Sequence, residues 1–320
     1  MATQTVTRRP AASRAPFARK LVPYAYLSPM LISIAVLSLA PMLFNIYLAF
    51  TDADLYTFKT GISGVGLTNF IEVFQGSFSK VFFPVLGWTI LYAVLATLSQ
   101  YFVGMFIALR LNNPHMRESR FYRALLVIPW AIPGTIAVLA WQGMFNTSYG
   151  SINRWLEGIF HIAKIPWLQD PNLAKVAVLV VNLWLGFPYF MSICLGSLQS
   201  IPAELYEVAD IDGASGWTKF WRVTFPMLIR FTIPLMIASF AFNFNNFSTA
   251  FLMTGGGPNR IGPFNAGYTD ILASVSYKLV VNLNRYGLGA AVSLVLFVLV
   301  AGLSLFNMKA TGAFGGGEED

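Results

Sequence analysis

Six stretches of this 320-residue chain, at 24–50, 83–109, 124–145, 176–199, 227–253 and 287–308, are long and almost uninterruptedly apolar. A helix of about 20 residues crosses the ~30 Å hydrocarbon layer of a membrane. Only helices and closed barrels satisfy their own backbone amides there. Barrel strands alternate polar and apolar residues over about ten positions, and none of the six stretches does. The expected fold class is an all-α integral membrane protein with six transmembrane helices. Composition agrees, with 56% hydrophobic and 11% charged residues, where a soluble domain carries about 25% charged.

Charge sets the expected orientation. The N-terminus, the 110–123 loop, the 201–226 segment with its flank and the C-terminus hold 13 of the 21 Lys and Arg. The other three loops are longer and hold 8. By the positive-inside rule both termini and residues 201–226 are cytoplasmic and the protein is multi-pass. The chain reads as a basic stem over 1–22, a membrane domain over 23–310 and a flexible glycine-containing tail over 311–320. The apolar region at 24–50 exceeds a signal-peptide core of about 7 to 15 residues and is expected to remain as the first helix. The net charge of +7 needs no nucleic acid; Arg8, Arg9, Arg14, Arg19 and Lys20 suit anionic membrane lipid. Cys194, the single cysteine, lies in an apolar stretch and excludes a disulfide framework. His115 and His161 fall in separate loops, and no metal site is expected. No phosphate-binding G-x-x-x-x-G-K-[ST] motif occurs, so any ATP chemistry belongs to a partner.

Residues 201–226 interrupt two long apolar segments with a charged, amphipathic pattern. Pro202 and Glu204 suit a helix start, and Leu205, Val208 and Ala209 form an apolar strip up to Gly213. Ser215 can cap a second short helix with Trp217, Phe220, Trp221 and Thr224 on one face, ending where Pro226 opens the next span. Gly213 is then the joint. Such a hairpin either rests on lipid headgroups or docks on another protein.

Within the spans, neutral polar residues align. Ser239, Asn243 and Asn246 stand at i, i+4 and i+7, as do Asn182, Gly186 and Tyr189. Amides at membrane depth need partners. They serve either as glue between helices or, with interleaved aromatic rings, as a lining for a neutral polyol. No Asp, Glu, Lys or Arg occurs at 176–203 or 231–253, which leaves an ionic substrate or proton relay little to use there. Pro129, Pro133, Pro188 and Pro234 are expected to break the helical ladders of three spans.

The spacing of Glu207, Ala209, Gly213, Val223, Phe225 and Pro226 resembles the EAA loop of permease subunits in ATP-driven (ABC) importers, with Val208, Val223 and Phe225 replacing the commoner Ala, Ile and Leu. LLVIPWAIPG at 125–134, NLWLGFPY at 182–189, IPAELYEVADIDGASG at 201–216, PLMIASFAFNFNNF at 234–247 and AGYTD at 266–270 narrow the resemblance to the MalF family of maltose/maltodextrin permease subunits. That resemblance implies the type I importer permease fold and a non-catalytic subunit without cofactor. ATP and Mg would be bound by two ABC ATPase subunits (MalK-like). A second permease subunit (MalG-like) and an extracytoplasmic sugar-binding protein complete the implied assembly in the bacterial cytoplasmic membrane. It implies coupling roles for Glu207, Ala209, Asp212, Gly213 and Pro226. It also implies neutral-sugar contacts at Asn182, Leu185, Gly186, Tyr189, Phe242, Asn243 and Asn246, with Ser239 and Trp130 adjoining. Gly134 stands where the best-known members have serine, and these residues contain neither their extra N-terminal helices nor the large insert corresponding to 51–82. The rival reading, a gradient-driven secondary sugar carrier, has no use for the 201–226 hairpin and usually shows an internal repeat, which is absent here. An intramembrane enzyme would need paired carboxylates or a His beside a nucleophile.

Overall fold

The computed structural model describes residues 17–260, 262 and 264–310. Arg8, Arg9 and Arg14 of the basic stem and the tail from 311 lie outside them. Among the described residues strand pairing is limited to two single bridges, Thr51 with Gly64 and Asn259 with Gly267. The chain divides into two units between Tyr47 and Leu48. Over its described residues, 17–47, the first is helical and predominantly apolar, with one π turn at Ala35–Leu39. Ser28 and Ser33 return their hydroxyls to the carbonyls of Ala25 and Pro29 at 2.8 Å, which lets them sit in hydrocarbon.

In the second unit, Ser79–Leu111 and Pro171–Gln199 pack along most of their lengths. Val85, Trp88, Tyr92, Ala96 and Gln100 recur every three to four residues on the buried face of the first of these. Gly104 lets the two backbones meet: a Cβ there would lie 2.6 Å from the amide nitrogen of Met191, the close approach small residues permit between membrane helices. Asp170 starts the partner helix by accepting from the N–H groups of Asn172 and Leu173 at 2.8 and 2.9 Å, with Pro171 in the first turn.

Three expectations need correction. Residues 124–145 are not one continuous span but belong to the helices Ser119–Ala131 and Gly134–Met144, bent by 91°. Pro133 holds the preceding Ile132 extended, at φ −87° and ψ 132°. Pro188 and Pro234, in contrast, do not break their helices, which run through both. Proline has a helical φ and removes one ladder bond, and packing around these positions keeps each axis continuous. The fifth span, Phe225–Asn245, breaks instead at Asn246 (φ −86°, ψ 99°), whose Oδ1 accepts from the Ser248 N–H at 3.1 Å as Ser248–Thr254 begins. Finally, the second helix of the 201–226 hairpin does not end at Pro226. Gly216–Lys219 passes through a π turn at Phe220–Thr224 directly into the fifth span; Pro226 lies inside this continuous helical path, just after the widened turn, where a ladder bond it cannot make is already displaced.

The segment after the fifth span contains more than the glycine-rich turn read from sequence. It carries the buried helix Leu272–Val281, packed beside Tyr286–Ala310. Asp270 and Lys278, buried to 0% and 4% exposure, pair at 2.7 Å. Asp270 also accepts from the Gly267 N–H at 2.6 Å and the Ser274 hydroxyl at 2.7 Å. Cys194 is free and buried. His115 and His161 are exposed, and among the described residues no cluster of His, Cys, Asp and Glu could hold a metal.

Candidate functional site

The break at Ile132–Pro133, the fourth span and the fifth span enclose a cavity of about 540 Å³. All nine residues singled out by sequence line it: Trp130, Asn182, Leu185, Gly186, Tyr189, Ser239, Phe242, Asn243 and Asn246. Gly134 and Thr249 join them, and Gln100 comes from the second span. No charged side chain takes part. Trp130 and Tyr189 stand with ring centroids 5.8 Å apart and planes at 47°, and Phe242 is largely exposed. These three rings offer faces suited to sugar C–H groups.

The amides divide by role. Asn182 and Asn243 are buried, at 7% and 2% exposure, and form the inner wall through a network across three spans. Gln100 donates its Nε2 to the backbone carbonyl of Asn182 at 3.0 Å and to Asn182 Oδ1. Asn182 Nδ2 donates to the Tyr92 hydroxyl and, at 3.4 Å, to Asn243 Oδ1. Asn243 Nδ2 donates to Thr97 at 3.1 Å and Ser239 at 3.5 Å. The two amides are thus glue and cavity wall together. Asn245, the third carboxamide of this span, is exposed; among the described residues its side chain has no partner.

Gln100, Tyr92, Thr97 and Thr249 escaped the sequence reading. The signal was present, since a glutamine at membrane depth raises the same question of partners as the asparagines do. Gly186 acquires a specific reason: a Cβ there would overlap the Gln100 carboxamide. Gly186→Ala is expected to push Gln100 from Asn182 and to lower stability by about 1 to 3 kcal/mol through the lost buried hydrogen bond. An unchanged thermal unfolding midpoint would show that the contact relaxes freely.

On the 201–226 hairpin, Ala203–Ile211 follows Pro202, with Glu204 in its first turn. Gly213 has φ +71° and open space where a Cβ would lie, so backbone conformation alone demands glycine. Its N–H donates to Asp210 O at 3.0 Å and that of Ala214 to Ala209 O at 2.9 Å, closing the helix end as αL caps do. Ser215 accepts from the Thr218 N–H at 3.3 Å. Lys219 reaches Asp210 at 2.7 Å, and the hydroxyls of Tyr206 and Thr224 meet at 3.0 Å, tying the two arms together. Outward from this frame stand Val208, Ile211 and Trp217, exposed at 57%, 85% and 72%. Glu207, Asp212 and Pro226 are exposed and Ala209 half-buried.

The described residues thus combine membrane-length apolar helices, a bent helix pair beside a neutral polar cavity and a charged helical hairpin. Residues 100–310 match the model of the binding-protein-dependent transport system inner membrane component, and the chain belongs to that family. It is 39% identical over 295 residues to the galactooligosaccharides transport system permease protein GanP of Bacillus subtilis strain 168, covering 91% of this chain and 70% of GanP. To the maltose/maltodextrin transport system permease protein MalF of Salmonella typhimurium it is 42% identical over 252 residues, 77% of this chain and 49% of that one. To the maltodextrin permease protein MalC of Streptococcus pneumoniae serotype 4 it is 38% identical over 307 residues, 91% and 69% of the two chains. The chain therefore spans about half the length of MalF. A chain of a bacterial ABC transporter that imports the acidic polysaccharide alginate superposes with a TM-score of 0.76 at 21% identity, covering 92% of this chain and 96% of its own. The ABC importer permease fold is shared.

Proposed function

We propose that the chain carries a neutral di- or oligosaccharide of the maltose/maltodextrin type through the cavity at the bend of its third span, as one permease subunit of an ATP-driven importer. The carrying observation is the lining itself: amides, hydroxyls and three aromatic faces around about 540 Å³ with no charged side chain. That chemistry suits sugar hydroxyls and C–H faces and disfavours an acidic polymer. The likeness to GanP supports a galactooligosaccharide as second reading.

In this reading a second permease (MalG-like) pairs with the chain, an extracytoplasmic binding protein delivers the sugar, and two ATPase subunits (MalK-like) bind ATP and Mg. The hairpin faces the cytoplasm together with both termini and seats its exposed Val208, Ile211 and Trp217 in an ATPase cleft. Because Gly216–Thr224 continues helically into the fifth span, ATP-driven movement of the hairpin reaches Ser239, Phe242 and Asn243 along one helix. The bent third span supplies the part free to swing against it. A secondary carrier gives that rigid connection no task.

Two experiments test this. Uptake competition by a panel of maltose, maltodextrins, trehalose, galactooligosaccharides and an acidic uronate oligosaccharide in a reconstituted complex reads the substrate; preference for the charged sugar would refute the assignment. Tyr189→Ala removes one ring face of the lining and is expected to raise the half-saturating sugar concentration about 5- to 20-fold with assembly intact. An unchanged value would place the sugar elsewhere.

A further inference from the structure

The geometry points to Gln100, on the second span, as a sugar-contacting residue that fixes which substrate hydroxyl is read; this rests on the cavity being the sugar site. The argument follows the direction of the hydrogen bonds. A backbone carbonyl can only accept, so the Gln100 nitrogen is the atom 3.0 Å from Asn182 O, and the carboxamide orientation is settled. Its second Nε2 bond goes to Asn182 Oδ1, which leaves the Asn182 amide nitrogen to donate onward to Tyr92 and Asn243. Asn243 in turn donates to Thr97 and Ser239. Every carboxamide in this relay has its oxygen satisfied by the one before it, except the first.

Gln100 Oε1 accepts nothing among the described residues. It is also absent from the closed-off polar atoms, of which the Trp88 indole nitrogen alone is buried without a partner. An oxygen of a buried side chain that keeps accessible surface, on a residue that lines the cavity, opens onto that cavity. The relay therefore ends in one free acceptor held rigidly by its own Nε2 bonds and by Gly186, where any side chain would occupy its place. Such an acceptor takes a hydroxyl donor of the substrate. It accepts and cannot donate, so it discriminates against a sugar lacking that one hydroxyl, because its own desolvation then goes uncompensated.

The test uses the complete reconstituted importer, with maltose and its monodeoxy analogues as probes, or the best-transported neutral sugar and its analogues if maltose is not taken up. Half-saturating concentrations for uptake are compared between the parental chain and Gln100→Met. The binding protein is the same in every measurement, so its own preference cancels in the ratio. The expected result is that one analogue loses about tenfold against the intact sugar in the parental complex and loses less than twofold in Gln100→Met. If Gln100→Met does not assemble, Gln100→Asn, which withdraws the carboxamide by one methylene, is read on the same series. Identical penalties in the parental chain and the variants would show that Gln100 acts only by holding Asn182 and would overturn this assignment alone. Absence of uptake for every neutral sugar would instead remove the cavity reading beneath it.

Discussion

Lys278→Met is expected to destabilise the protein by about 3 to 5 kcal/mol, the cost of leaving a buried charge without its counter-ion. Asp270 is fully buried. With the ammonium gone it would keep two neutral donors, the Gly267 N–H and the Ser274 hydroxyl, and no positive charge. The damage should concentrate in the segment folded over it. There Thr269 donates to the Gly257 carbonyl at 2.7 Å, and a Cβ on Gly256 would overlap the Asp270 carboxylate. Thermal unfolding of the purified complex, with limited proteolysis of residues 255–268, measures both. Asp270→Asn combined with Lys278→Met removes both charges together and should recover more than half of the loss, since neutral replacement of a buried pair is often tolerated. A single variant within 1 kcal/mol of the parent, an order-of-magnitude limit set by surface pairs, would mean that water reaches the pair.

Gly213→Pro should abolish sugar-stimulated ATP hydrolysis and uptake together while sugar recognition survives. Gly213 needs φ +71°, whereas proline holds φ near −65° and has no N–H for the Asp210 carbonyl. The local cost is about 3 kcal/mol or more. The larger consequence is geometric: the two arms joined by Lys219–Asp210 and Tyr206–Thr224 would no longer hold the exposed Val208, Ile211 and Trp217 in a fixed arrangement. Gly213→Ala separates conformation from space, because nothing lies within 4 Å of the added Cβ. It should show a partial defect of about 1 to 2 kcal/mol in hairpin stability. Reconstituted vesicles give uptake and ATPase rates from the same preparation, and normal uptake by Gly213→Pro would remove the coupling role proposed for the hairpin.

Six of the cavity-lining residues were conspicuous before any coordinates because they stand at helical spacing, while Leu185, Phe242 and Trp130 were marked only by the resemblance to a known family. Asn182, Gly186 and Tyr189, like Ser239, Asn243 and Asn246, repeat at i, i+4 and i+7, and hydrocarbon penalises any stray amide enough to make each one conspicuous. The hairpin was legible for a similar reason. A proline start, a capping serine and a glycine joint are local devices whose geometry depends on nearest neighbours along the chain.

Other readings failed where local preference and packing compete. Four prolines share the same covalent constraint, yet the helices run through Pro188 and Pro234 while the chain is interrupted at Val127, ahead of Pro129, and bends at Ile132–Pro133; whether a lost ladder bond becomes a bend depends on what surrounds it. The π turn at Phe220–Thr224 carries the hairpin into the fifth span across a boundary that Pro226 suggested. Gln100 and Asn182 stand 82 positions apart. Their bond, like the pairing of Asp270 with Lys278, required knowing which helices meet.

By itself the sequence determined the membrane class, the approximate spans, the neutral lining and the hairpin joint, because each follows from transfer of residues into hydrocarbon or from a backbone rule acting over a few residues. Tertiary structure alone decided which proline bends its span, which amides are consumed as glue and which acceptor stays free, because hydrogen bonds between helices are set by close packing and leave no periodic trace in the chain that makes them.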